Sequence, residues 1–130
     1  MSTTTCEYRR KHAFHDSEDL KRLKDLKGLA PVEFDAFLQF DKIVAREGGA
    51  IPKKYRELIA IAVAATTQCP YCLNIHAHAA KKSGASQEQV AEAVMLAAAL
   101  RAGAAVTHGT LALKLFEGAS LEDARAEGHG

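Results

Sequence analysis

Apolar residues recur along this chain at helical spacing. Leu20, Leu23 and Leu26 lie three apart behind Ser17-Glu18-Asp19, which offers an N-cap and first-turn acids, and Gly28 supplies a stop. A helix is predicted over 17–27. Pro31 suits the first position of a second helix, over 31–47, with Phe34, Phe37, Leu38 and Val44 as its stripe and Gly48-Gly49 at its end. Pro52 opens a third over 52–66, and Thr66-Thr67-Gln68 breaks the pattern before Cys69. A fourth helix is predicted over 70–83, closed by Gly84. The cap-like Ser86-Gln87-Glu88 starts a fifth over 87–102, Gly103 separates it from a sixth over 104–117, and Leu121 to Ala126 add a short turn. The fold class expected is all-α, with about six helices in one domain over 17–126. Residues 1–16 are expected to be a loose N-terminal segment and 127–130 a tail. The leucine and phenylalanine stripes are expected to form the core. Residues 49–65 also align with 84–100, matching at Gly49/Gly84, Ala50/Ala85, Glu57/Glu92, Ala62/Ala97 and Ala64/Ala99. That match reads either as alanine-rich coincidence or as a duplicated helical unit.

Composition changes the picture of the core. Apolar residues make up 48% of the chain, yet Trp is absent and aromatics are 6%. Much of the apolar content is alanine, which lets helices approach but removes little area from water, at roughly 25 cal/mol per Å². A core so light in large side chains gains by association, so a homo-oligomer is expected. Charge is balanced, 17 Lys+Arg against 16 Asp+Glu, which argues against a nucleic acid or a membrane surface as partner. The opening residues have no apolar core of a secretory signal, and no run of about 18 apolar residues is free of charge, so no membrane span is expected. Three cysteines, two of them three residues apart, make a poor structural framework and a good redox or metal pair. The expected location is cytoplasmic.

The candidate chemistry sits at Cys69-Pro70-Tyr71-Cys72. Pro70 at the first helical position puts Cys69 at the N-cap, where free backbone N–H groups and the helix dipole favour a thiolate. Cys72 is three residues on, near enough to close a disulfide. His76 follows one turn after Cys72 and can carry a proton to or from a thiol. The alternation of Ile59, Ile61 and Val63 offers a strand instead, and a strand leading into this motif would resemble glutaredoxin. That fold needs a later proline beside the active site. The prolines here are Pro31, Pro52 and Pro70, and none follows the motif, so the helix is retained.

Glu57, eleven residues, Cys69-Pro70-Tyr71-Cys72, three residues and His76 resemble the signature of the alkylhydroperoxidase D / carboxymuconolactone decarboxylase superfamily. Gly84-Ala85-Ser86 and the helix from Glu88 are similar to it as well, and the resemblance spans roughly residues 31–117. It implies an alkylhydroperoxidase D-like helical bundle, homo-oligomers (trimers or hexamers) and thiol-dependent reduction of hydroperoxides. An external dithiol reductant is the expected partner, and no cofactor or metal is expected. By position, Cys72 would attack the peroxide, Cys69 would resolve it, and Glu57 and His76 would relay the proton. Tyr71 stands where the enzyme that names the family has a histidine, and a phenol is a poorer proton carrier at neutral pH. Tyr71 and His108 are taken as auxiliary candidates. The decarboxylase branch generally lacks the cysteine pair, so decarboxylation is not expected.

Plainer readings compete. Cys69, Cys72, His76 and His78 could bind zinc, although four ligands within ten residues of one helix converge poorly on a tetrahedron. Glu57 could pair with Lys53 one turn back. His76 could be an ordinary surface residue, His78 a solvent or interface residue, His108 a satisfied core histidine and Cys6 incidental. An oligomeric scaffold with inert thiols would need none of this chemistry.

Overall fold

A computed structural model of the chain describes residues 15–118. The expected loose segment up to residue 14, Cys6, the turn over 121–126 and the tail lie outside them. Every element among the described residues is helical. A 3-10 turn, Ser17–Arg22, runs into α1, Leu23–Leu29, and then come α2, Pro31–Val44, α3, Lys53–Thr67, α4, Pro70–Lys82, and α5, Gln87–Gly118. Residues 58–64 lie inside α3, so the strand reading has no place here.

The first helix differs from expectation at both ends. Its cap is Asp16, not Ser17. The Asp16 carboxylate accepts from Glu18 N–H at 2.9 Å, and Asp19 returns the favour to Asp16 N–H at 2.7 Å. This reciprocal cap satisfies free donors of the first turn. Gly28 does not stop the chain, because α1 continues through Leu29. A lone glycine weakens a helix by about 1 kcal/mol relative to alanine, which is not enough to end it.

Gly103 repeats that lesson on a larger scale. The two predicted helices over 87–102 and 104–117 are one continuous helix of 32 residues. At 1.5 Å per residue it runs for roughly 48 Å. No proline follows Gly103, its neighbours are strong helix formers, and a Cβ there would meet nothing within 4 Å. Length and composition alone would let α5 cross a membrane. In the structure α5 packs on α3, and Arg101 midway along it holds the Thr66 carbonyl.

α3 is the hub, with α4 on one side and α5 on another. Its C-cap, Gln68, takes the left-handed conformation at φ 56°, and Cys69 N–H reaches the Ala64 carbonyl at 3.1 Å. This closure reverses the chain sharply into α4. Small side chains let the two helices approach: Ala64 and Ala80 are buried, as is Ile61. These three form the whole buried apolar core among the described residues.

The expected leucine and phenylalanine core is therefore not found within one chain. Leu26, Phe37, Phe40 and Val44 are all more than half exposed. Among the described residues α2 packs only against α1, and the 3-10 turn alone joins this arm to the α3–α5 unit by helix packing, against α4. Two polar ties add to it: Arg56 donates to the Val44 carbonyl at 3.0 Å, and Lys53 pairs with Glu47 at 2.9 Å.

Candidate active site

The α3–α4 contact places the candidate residues. At about 100° per residue, Cys69, Cys72, His76 and Ala80 fall on one stripe of α4. Glu57, Ile61 and Ala64 share the stripe of α3 that carries its buried residues. The packing that buries the alanines thus brings a carboxylate to the dithiol helix.

Cys69 is the N-cap of α4 with Pro70 behind it, as the motif predicts. Its sulfur accepts the Cys72 backbone N–H at 3.2 Å. Cys69 and Cys72 are joined as a disulfide, with Cα atoms 5.4 Å apart. Both are half-buried. His76 Nδ1 lies 2.8 Å from Glu57 Oε2, a contact nineteen residues apart in sequence. The Glu57 side chain is 15% exposed and that of His76 37%, so the carboxylate is inside and the imidazole at the rim. An ionised carboxylate only accepts, so Nδ1 then carries the proton, which leaves Nε2 as the acceptor nitrogen of the neutral ring. Lys53 is taken by Glu47 and not by Glu57.

A helical unit with a half-buried disulfide at a helix N-terminus, a Glu–His pair on the same contact and this order along the chain has a counterpart among known families. Residues 31–115 match the model of the carboxymuconolactone decarboxylase family. The chain belongs to that family. The fold is accordingly an all-α bundle of the alkylhydroperoxidase D-like kind. Three curated relatives are similar to it. An uncharacterised protein of the cox locus in Paracoccus denitrificans is 46% identical over 83 residues, 64% of this chain and 74% of its own length. An uncharacterised protein of Haemophilus influenzae is 50% identical over 72 residues, 55% of this chain and 64% of its own. One of Cupriavidus necator is 30% identical over 87 residues, 67% of this chain and 76% of its own.

The remaining candidates of this family member are placed elsewhere. The Tyr71 hydroxyl donates to Asp19 Oδ2 at 2.8 Å, and His15 meets its ring edge-on. Tyr71 is thus turned from the Glu57–His76 pair and ties the 3-10 turn to α4. His78 Nδ1 is 2.6 Å from the Asn74 carbonyl, and the ring is exposed. His108 is exposed on α5, bonded at 3.1 Å to the Ala104 carbonyl of its own helix, and so is not a core histidine. Among the described residues no three of the metal-ligating types converge.

Two contributors escaped the sequence reading. Arg101 holds the Thr66 carbonyl in the last turn of α3, beside the reversal that leads to Cys69. Nothing in the local pattern announces it, since the two residues are thirty-five apart. Asp19 was legible only as a first-turn acid, and its tie to Tyr71 is tertiary. The Asp16 backbone N–H, and then the Tyr71 hydroxyl, hold the Asp19 carboxyl below its ordinary value. The same bond raises the Tyr71 phenol. The stabilisation from this contact is therefore fully present above about pH 4 and lost as pH falls through the lowered Asp19 value. From the Tyr71 side it persists below about pH 10 and is lost as pH rises through the raised value. Tyr71→Phe should move the Asp19 titration back up, part of the way, because the backbone N–H remains. NMR titration of the carboxyl reads this directly, and an unmoved Asp19 would show that the bond carries no weight.

Proposed function

We propose that this protein is a thiol-dependent oxidoreductase that reduces hydroperoxides through the Cys69–Cys72 pair, with Glu57 and His76 moving the proton. The observation that carries this reading is the 2.8 Å contact of Glu57 with His76 on the helix stripe that holds both sulfurs. A structural disulfide needs no such pair, whereas peroxide reduction needs a proton delivered to a leaving oxygen.

The chemistry balances in three steps. The Cys72 thiolate attacks the terminal oxygen of the hydroperoxide, the O–O bond breaks, and the alkoxide takes a proton relayed through His76. Cys72 is then a sulfenic acid and the product an alcohol. The Cys69 thiolate attacks the Cys72 sulfur, the S–O bond breaks, and hydroxide leaves as water with one further proton. The resulting disulfide accepts two electrons and two protons from an external dithiol, which becomes a disulfide in turn. The Cys72 N–H bond to Cys69 and the helix end supply the stabilisation that a Cys69 thiolate needs in the second step.

Consumption of cumene hydroperoxide by the purified protein under excess dithiothreitol tests the reading. Catalytic turnover above the reductant alone is expected. If the disulfide forms and is reduced but peroxide loss stays at the background rate, the activity is disulfide exchange and the peroxidase reading fails.

A further inference from the structure

The reversal from α3 into α4 decides where Cys69 stands, and its backbone is unfavourable. Gln68 takes the left-handed conformation, the one non-glycine residue to do so among the described residues, and a Cβ makes that conformation costly. The turn therefore has to be held. Part of the hold is local. The N–H groups of Gln68 and Cys69 both reach the Ala64 carbonyl, and the hydroxyls of Thr66 and Thr67 donate to the Val63 carbonyl at 2.9 and 3.0 Å. The last carbonyls of a helix have no N–H partner within it, and that of Thr66 is one of them. Arg101 of α5 supplies its donor. Apolar packing contributes little there. Across from Thr66 and Gln68, α5 offers Ala97 and Ala98, and a cavity of about 330 Å³ remains between them with Arg101 on its wall.

We propose that Arg101 is a positioning residue for Cys69: by fixing the last turn of α3 against α5, it keeps the Cys69 sulfur at the cap of α4, where the thiolate is stabilised. The inference rests on the dithiol reading above, in which Cys69 is the resolving thiol. The path from one residue to the other is short. Thr66 stands three residues before Cys69, with the Gln68 turn between them. Once the Thr66 carbonyl is released, the left-handed turn relaxes towards a commoner conformation. The Cys69 sulfur then leaves the residue 72 N–H, from which it accepts at 3.2 Å. A thiolate off the cap loses the free N–H groups and the helix dipole that stabilise it. Cys72 and His76 depend less on the turn, since they lie further along α4, where the helix packs on α3 and Glu57 holds His76. Arginine suits the task. Its guanidinium stays charged at every working pH, and a charged donor makes a stronger bond than a neutral one. It acts through the backbone and not on the reacting atoms.

The test reads the Cys69 thiol alone, in Cys72→Ser protein, by its rate of alkylation with iodoacetamide at neutral and at alkaline pH. Dividing the first rate by the second removes differences in access and leaves the thiolate fraction. Arg101→Met deletes the charge and the donors but keeps an unbranched stem and good helix propensity. With Met at 101 the ratio should fall by roughly tenfold, the size of one lost charged hydrogen bond. Arg101→Lys keeps a charge and a donor and should recover much of it. Glu57, His76, Asp19 and Tyr71, the titratable groups set around the motif, are the same in all these proteins, so the difference reports position 101. If Arg101 only fastens α5 to α3, the variants melt earlier by circular dichroism and the ratio does not move. That result overturns the proposal, and so does a Lys variant no better than Met. If Arg101→Met loses its helix, Arg101→Gln takes its place, and an unmoved ratio there overturns the proposal equally. The peroxide reading is tested apart from this. In protein with both cysteines, Arg101→Met should slow the closing of the disulfide more than the first oxidation, so that sulfenic acid on Cys72 lasts longer. A sulfenic acid resolved at the wild-type rate overturns the role of Arg101. Protein inert to peroxide would sink the peroxidase reading instead, and the alkylation ratio would still decide for or against Arg101.

Discussion

Cys72→Ser protein should lose its reaction with peroxide outright, while Cys69→Ser protein should react once and then stop. Two physical effects compete for the role of attacking thiol. The helix N-terminus and the Cys72 N–H bond favour a thiolate on Cys69. Peroxide attack, however, requires acid at the leaving oxygen as well as a thiolate. That acid stands on the Cys72 side, with His76 one turn along α4 and held by Glu57. A thiolate without a proton donor leaves an alkoxide to depart unassisted, and the loss of a positioned acid costs about 10²–10⁴-fold. On the proposed reading Cys72 is accordingly the peroxidatic residue and Cys69 the resolving one. After a short peroxide pulse, mass spectrometry of Cys69→Ser should find one added oxygen on Cys72, trapped for want of a partner thiol. Sulfenic acid forming on Cys69 in the Cys72→Ser protein at the wild-type rate would reverse the assignment.

A loss of about 10²–10⁴-fold in the peroxide step is expected for His76→Gln and for Glu57→Gln. The two should differ in kind. Gln at 57 can still accept from Nδ1 and hold the ring, so its loss reports the missing charge. Gln at 76 removes the proton carrier itself. Stopped-flow measurement of the first oxidation, with dithiol reduction of the disulfide followed in parallel, separates a chemical effect from a structural one. In the proposed mechanism the proton relay serves the peroxide step, so thiol–disulfide exchange should change far less. If both variants oxidise at the wild-type rate, the Glu57–His76 contact is only a tie between α3 and α4. Equal slowing of both reactions would point instead to displaced sulfurs.

The site was legible in the sequence as far as local geometry carries. Pro70 fixes the first turn of α4, so Cys69 at the cap, and Cys72 and His76 on one stripe, follow from spacing alone. The partner of Glu57 did not follow. Lys53 and His76 were both open to it, and only the α3–α4 packing decided for His76. Tyr71 shows the same limit. Its place between the cysteines suggested a share in the chemistry, yet its hydroxyl is taken by Asp19, fifty-two residues away.

Periodicity settled the class of the fold and most helix starts, because a proline or a side-chain cap acts within one turn of its own position. It overestimated glycine. Gly28 and Gly103 were read as breaks and lie within helices, since one glycine costs less than the surrounding helix formers supply. Periodicity also marked which residues are apolar without telling what covers them. The stripes of α1 and α2 were expected to make a core, and the tertiary structure leaves them largely in the open, with Ile61, Ala64 and Ala80 alone buried among the described residues. A repeating apolar face is a property of one helix. Whether it meets another depends on the path of the chain between them, and here the 45–52 connection carries α2 away from α3 and α5.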